Sequence, residues 1–152
     1  LLPGIREYTV TPGEKTTTIS GKGKAGLKQE ENYYFFYLPV CYKGITGKSY
    51  AYYNTSRSKN LYLPASVDEN YSYDIQLPEN LTLCTPIQEK KIDNPIGSFK
   101  ITLTSEGSSL HIELALQIKK QLITPAEYPA FRSLITEWTD RTRKPILFKT
   151  VQ

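Results

Sequence analysis

From Tyr71 to Leu77 every second side chain is apolar: Tyr71, Tyr73, Ile75 and Leu77 alternate with Ser72, Asp74 and Gln76. The pattern returns at Phe99, Ile101 and Leu103, and again over Leu110, Ile112, Leu114, Leu116 and Ile118, whose neighbours His111, Glu113, Ala115, Gln117 and Lys119 point the other way. A period of two is that of a strand with one dry and one wet face, so these segments predict antiparallel strands lying over a common core. Asn94-Pro-Ile-Gly97 and Glu106-Gly107-Ser-Ser supply turns between them.

The spacing changes after Thr124. Tyr128, Phe131, Leu134, Ile135 and Trp138 recur every three or four residues, the stripe of a helix that must pack on a sheet. Thr124-Pro125-Ala-Glu127 has the form of its start, with a hydroxyl cap, a proline where a missing N–H is harmless and a carboxylate able to reach back. Pro129 should make the first turn irregular, and Pro145 blocks extension beyond Arg141, Arg143 and Lys144. Ile146-Leu-Phe148 then predicts a closing strand.

Upstream, Tyr33-Tyr-Phe-Phe-Tyr-Leu-Pro39 is too short for a buried helix and reads as a central strand, and Leu61-Tyr-Leu-Pro64 as a short one. Residues 5–28 are rich in Thr, Gly and Lys, with Tyr8, Val10 and Ile19 as apolar points and a turn at Pro12-Gly13. They predict edge strands. The polar stretch from Gly44 to Lys59 reads as a hairpin or long loop carrying Tyr50, Tyr52 and Tyr53. The whole is expected to be a mainly β protein, an antiparallel β-sandwich of about eight strands with one C-terminal α-helix. Its single domain runs over 1–152: edge strands in 1–32, core strands in 33–123, the helix in 124–143 and the last strand in 145–150.

Composition agrees with the β reading, with 12 Tyr, 5 Phe and 10 Pro against one His, one Trp and no Met. Lacking Met, the chain cannot open at its own start codon and is expected to be a piece of a longer protein. A net charge of +4 is spread along the sequence, without the basic block of a nucleic-acid arm. No apolar stretch approaches the ~20 residues of a membrane span.

Candidate chemistry is sparse. His111 and Glu113 project from one strand face and could form an acid–base pair, yet no nucleophile or orienting third group accompanies them. A solvated strand face accounts for both, and no catalytic residue is assigned. Cys41 and Cys84 fit no metal spacing, and whether they bridge depends on a Cα separation that sequence does not give. Gly21-Lys-Gly-Lys-Ala-Gly26 lacks the Gly-Lys-Ser/Thr ending of a phosphate loop. Asp68, Asp74, Asp93 and Asp140 are isolated, so no cofactor or metal is expected. The surplus of tyrosines is the one feature with binding potential: Tyr42, Tyr50, Tyr52 and Tyr53 are candidates for a ligand or partner surface.

The order of short motifs resembles the C-terminal part of multidomain transglutaminase-like proteins of Bacteroidetes. They are Tyr34 to Pro39 with Gly44-Ile45, Arg57 with Leu61-Tyr-Leu-Pro64, Tyr71 to Pro78, Asn94 to Phe99, and Ile123-Thr-Pro-Ala-Glu-Tyr-Pro-Ala-Phe-Arg132. In that family a β-sandwich follows a papain-like core, and the present chain resembles the sandwich alone, over about residues 33–150. The resemblance implies an extracytoplasmic protein, periplasmic or at the cell surface. It carries no catalytic residue over, since the core's Cys–His–Asp pattern has no counterpart here. The expected role is that of a non-catalytic accessory domain whose partner is the upstream transglutaminase-like core of the same polypeptide. The alternative is a carbohydrate- or peptidoglycan-binding module using exposed tyrosines, with glycan or peptide as partner, and a hydrolase in its own right comes third.

Overall fold

The computed structural model describes residues 5–24, 26–40, 44–45 and 56–150. Among them run twelve strands: β1 (Ile5–Pro12), β2 (Thr17–Gly23), β3 (Lys28–Glu30), β4 (Tyr33–Phe36), β5 (Leu61–Tyr62), β6 (Val67–Gln76), β7 (Leu81–Leu83), β8 (Gln88–Asn94), β9 (Gly97–Glu106), β10 (Ser109–Ile118), β11 (Leu122–Ile123) and β12 (Ile146–Thr150). One helix, α1 (Tyr128–Arg143), precedes the last strand. All pairings are antiparallel, and the architecture is mainly β and of sandwich type. The count exceeds the expected eight or so: β5 answers the short strand expected at Leu61-Tyr-Leu-Pro64, β8 forms where the sequence shows no strand pattern, and β3, β7 and β11 add only two or three residues each.

The larger sheet has the order β6-β10-β9-β8. Its register sets Ile112 opposite both Tyr73 and Leu103, and Leu114 opposite both Tyr71 and Ile101, so the apolar alternations of three strands coincide on one face. Phe99, Ile101, Leu103, Leu110, Ile112, Leu114, Leu116 and Ile118 are buried there. A slip of one residue would have turned His111 and Glu113 inward, and the structure keeps them outward. Strand β8 has no run of alternating apolar residues. Only Ile92 packs on the core, and the charged Glu89, Lys90, Lys91 and Asp93 occupy an outer edge, where they discourage pairing with another chain.

The second sheet, β3-β4-β12-β7, contributes Ile146, Phe148 and Leu81 to the same core. Strand β4 lies inside it, between β3 and β12, so the first four residues of the 33–39 run form an interior strand as their apolar content predicts, and Tyr37 to Pro39 lie beyond it. Strands β1 and β2 form on either side of the expected Pro12-Gly13 turn. They pair with each other as a separate ribbon, and neither joins the edge of a four-stranded sheet.

Helix α1 lays Tyr128, Phe131, Leu134, Ile135 and Trp138 into the core and packs on β9 and β10. It begins at Tyr128, later than Thr124. The capping contacts form as predicted, with the Thr124 N–H and hydroxyl donating to a Glu127 carboxylate oxygen at 3.1 and 3.0 Å, but they close a single turn ahead of the regular helix. Pro129 occupies the first helical turn, where its missing N–H leaves no bond unmade. At the other end the Lys144 N–H donates to the Asp140 carbonyl and the backbone leaves the helix before Pro145.

Candidate functional site

The singled-out histidine lies on the outer face of the larger sheet. His111 on β10 stands opposite Asp74 on β6, and its Nδ1 lies 2.7 Å from Asp74 Oδ1. Its Nε2 lies 3.7 Å from Glu113 Oε1, and Lys100 on β9 donates to the other Glu113 oxygen at 3.0 Å. The hydrogen bond to Asp74 raises the His111 pKa above the usual imidazole value. The hydrogen bond from Lys100 holds the Glu113 carboxyl below the usual carboxylate range. Cross-strand positions bring these charges together, and the result is a polar ladder in water.

Beside the ladder is an open depression of about 580 Å³, lined by Gln76, Thr104, Ser105 and Ser109 as well as His111. Two of the parts of a hydrolytic triad are therefore adjacent, a histidine with an orienting carboxylate. The third is not. Both imidazole nitrogens face carboxylates, while the Ser109 hydroxyl donates to Gln76 Oε1 at 3.1 Å. A nucleophile needs the free nitrogen as its base, and no described hydroxyl or thiol bonds to it.

Cys84 is a half-buried free thiol just past β7, with Sγ 3.9 Å from the Thr82 carbonyl oxygen. It is remote in sequence and register from His111. Cys41, Tyr42, Tyr50, Tyr52 and Tyr53 lie outside the described residues. Tyr33 and Tyr37 are exposed, and Lys28 Nζ sits 5.6 Å from the Tyr37 ring centroid. Asp68, Asp74, Asp93 and Asp140 each lie beside a different partner. Among the described residues no group of three or more His, Cys, Asp or Glu is placed to hold a metal ion, and no helix is long and apolar enough to cross a membrane.

A second polar cluster escaped the sequence reading. Strand β6 begins at Val67, four residues before Tyr71, so its inward face carries Val67, Glu69, Tyr71, Tyr73 and Ile75. Glu69 Oε1 accepts the Ile45 N–H at 2.5 Å, and its Oε2 accepts the Tyr71 hydroxyl at 3.0 Å. The Tyr73 hydroxyl donates to the Pro39 carbonyl at 2.7 Å, and burial, helped by neighbouring Tyr71, pushes its pKa well above the usual phenol value. The Tyr73 hydroxyl thus holds the chain at Pro39 and the Glu69 carboxylate holds it at Ile45, with the Tyr71 hydroxyl bracing that carboxylate. The available sequence signal was parity: Glu69 stands two residues before Tyr71 and so falls on the same face as Tyr71 and Tyr73.

Tyr71 also stacks near Tyr73, with ring centroids 6.2 Å apart, and meets Trp138 of the helix at 5.9 Å. The other helix anchor is Asn94. Its Oδ1 accepts the Ile96 and Gly97 N–H groups, closing the predicted turn, while its Nδ2 donates to the Ala130 carbonyl at 3.1 Å. Gly97 then enters β9 so close to β10 that a Cβ would run into the Gln117 carbonyl oxygen. The Asn94 to Phe99 motif is therefore a packing device joining turn, sheet and helix.

No curated protein matches the chain. Among solved structures, a crystal structure titled a "putative protease" from Parabacteroides distasonis is similar, with 31% identity and a TM-score of 0.70 over 80% of this chain. The chain spans only 24% of that protein, about a quarter of its length. Residues 32–148 match the family described as "Domain of Unknown Function with solved-structure structure (DUF3858)". With strands β4 to β12 and the helix all inside the matched range but for the last residues of β12, the chain belongs to the DUF3858 family.

Proposed function

We propose that the chain is a non-catalytic accessory domain which packs against, and orients, a transglutaminase-like or protease-like domain of the same polypeptide in an extracytoplasmic bacterial protein. The observation that carries this reading is one of scale: the similar Parabacteroides protein is about four times longer than the part this chain resembles. A domain occupying a quarter of such a protein need not hold its chemistry. The ladder around His111 supports the same reading, because one imidazole nitrogen is bonded to Asp74 and the other faces Glu113, with no nucleophile bonded to either among the described residues.

The test is enzymatic. The purified chain should turn over neither peptide nor glutamine-amide substrates, and joint replacement of Cys41, Cys84 and His111 should leave the parent protein's activity unchanged wherever folding is preserved. Turnover by the chain that disappears in Cys41→Ser or His111→Ala, with an unaltered circular dichroism spectrum, would overturn the proposal.

A further inference from the structure

The β1–β2 ribbon has two unlike faces. In its register Tyr8 stands opposite Gly21, Val10 opposite Ile19 and Pro12 opposite Thr17, so Tyr8, Val10 and Ile19 share one side. Thr9 opposite Ser20 and Thr11 opposite Thr18 share the other, together with the Glu7–Lys22 pair. This is the sidedness of a strand pair whose apolar face rests on something. Here that face is bare: Tyr8, Val10 and Ile19 are 50%, 49% and 58% exposed, and the ribbon packs substantially on no other described element. A two-stranded hairpin in water is marginally stable at best, so a covering surface is what would give it a fixed structure.

We infer that the Tyr8–Val10–Ile19 face docks on an apolar patch of another domain in the same polypeptide. This rests on the accessory-domain reading and gives it a contact surface. Area decides against a second copy of the chain as the occupant. The seven register pairs of the two strands make a face of about 230 Å² in projection, at ~3.4 Å rise per residue and ~4.8 Å between strands. A stable interface between free partners needs roughly 800 Å² on each. A contact of this size suffices only between tethered partners, whose effective concentration reaches the millimolar range. The ribbon's place in the chain fits such a tether, since it lies outside the family match at 32–148 and leads into it.

Hydrogen exchange on the full-length protein and on the 152-residue chain provides the test. Amides of residues 8–21 should exchange roughly 100-fold more slowly in the full-length protein. The double substitution Val10→Glu and Ile19→Glu should abolish that difference while exchange in β9 and β10 stays as it was. Equal exchange in both proteins would overturn the inference, as would protection of the isolated chain that rises with its concentration alongside a dimer in sedimentation. Chemical cross-linking between residues 32–148 and the rest of the polypeptide separates the two proposals. Cross-links together with an unprotected ribbon would refute the docking surface alone, and absence of both would refute the accessory role as well.

Discussion

Two parts of this molecule carry the same alternation and end differently. On β9 and β10 the facing pair Leu103 and Ile112 is 1% and 0% exposed, whereas on β1 and β2 the facing pair Val10 and Ile19 is 49% and 58% exposed. The side chains are of one chemical kind and the pairing is antiparallel in both. The difference is the layer above: α1 covers the β9–β10 face with Trp138, Phe131 and Leu134, and no described element covers the ribbon. Alternation thus reports which residues share a face and is silent on what lies over that face.

The largest effect expected from this contrast comes from cutting away the covering layer. Trp138→Ala removes a fully buried aromatic and should lower stability by about 3–5 kcal/mol in urea denaturation of the chain. Ile19→Ala on the bare ribbon should change it by less than about 0.5 kcal/mol. Comparable losses at both sites would mean that the ribbon face is covered within this chain after all. Because Trp138 Nε1 is buried with no acceptor among the described residues, Trp138→Phe gives up no hydrogen bond and should retain most of the stability that Ala loses.

A smaller loss should follow from disturbing how the sheet meets the turn. In Gly97→Ala the new methyl must displace the backbone of β10 at Gln117 and Ile118, an overpacking that costs about 1–3 kcal/mol. Thermal melting would check it, and an unaltered midpoint would show that β9 and β10 can move apart without penalty.

The smallest effect is electrostatic and belongs to the turn ahead of the helix. The hydrogen bond from Lys120, and then those from Thr124, hold the Glu127 carboxyl at about 2, against an ordinary 4.5. The folded value lies below the unfolded one, so this contribution is fully present above pH 4.5 and fades as pH falls toward 2. Glu127→Gln should therefore lower stability at neutral pH and flatten its fall between pH 4.5 and 2. Identical acid titrations of the two proteins would remove Glu127 from the helix start.

The larger sheet was legible because its strands announce themselves: Tyr71 to Leu77, Phe99 to Leu103 and Leu110 to Ile118 alternate without a break, and one register satisfies all three. Strand β8 was not, since Gln88-Glu-Lys-Lys-Ile-Asp-Asn94 offers a single core residue to a sheet edge and its pairing is decided by β9. The helix start was displaced because Thr124 and Glu127 make a cap whether or not a helix follows directly, and Pro129 delays the regular bonding. At the site, the outward projection of His111 and Glu113 was readable from parity. Asp74 and Lys100, which complete the ladder, come from neighbouring strands 37 and 13 positions away from His111 and Glu113, and only pairing brings them there.

By itself the sequence determined a mainly β protein, the faces of its three long strands, the apolar stripe of its helix and the lack of a locally spaced catalytic motif. These follow from backbone periodicity and turn chemistry, which act over a few residues. The tertiary structure alone decided that β12 enters the middle of a sheet between β4 and β7, and that Glu69 and Tyr73 fasten the chain at Ile45 and Pro39. It also leaves the apolar face of β1 and β2 uncovered by any described element. Each of these depends on contacts between segments far apart in the chain, where burial and hydrogen-bond satisfaction are settled by what arrives from elsewhere in the fold.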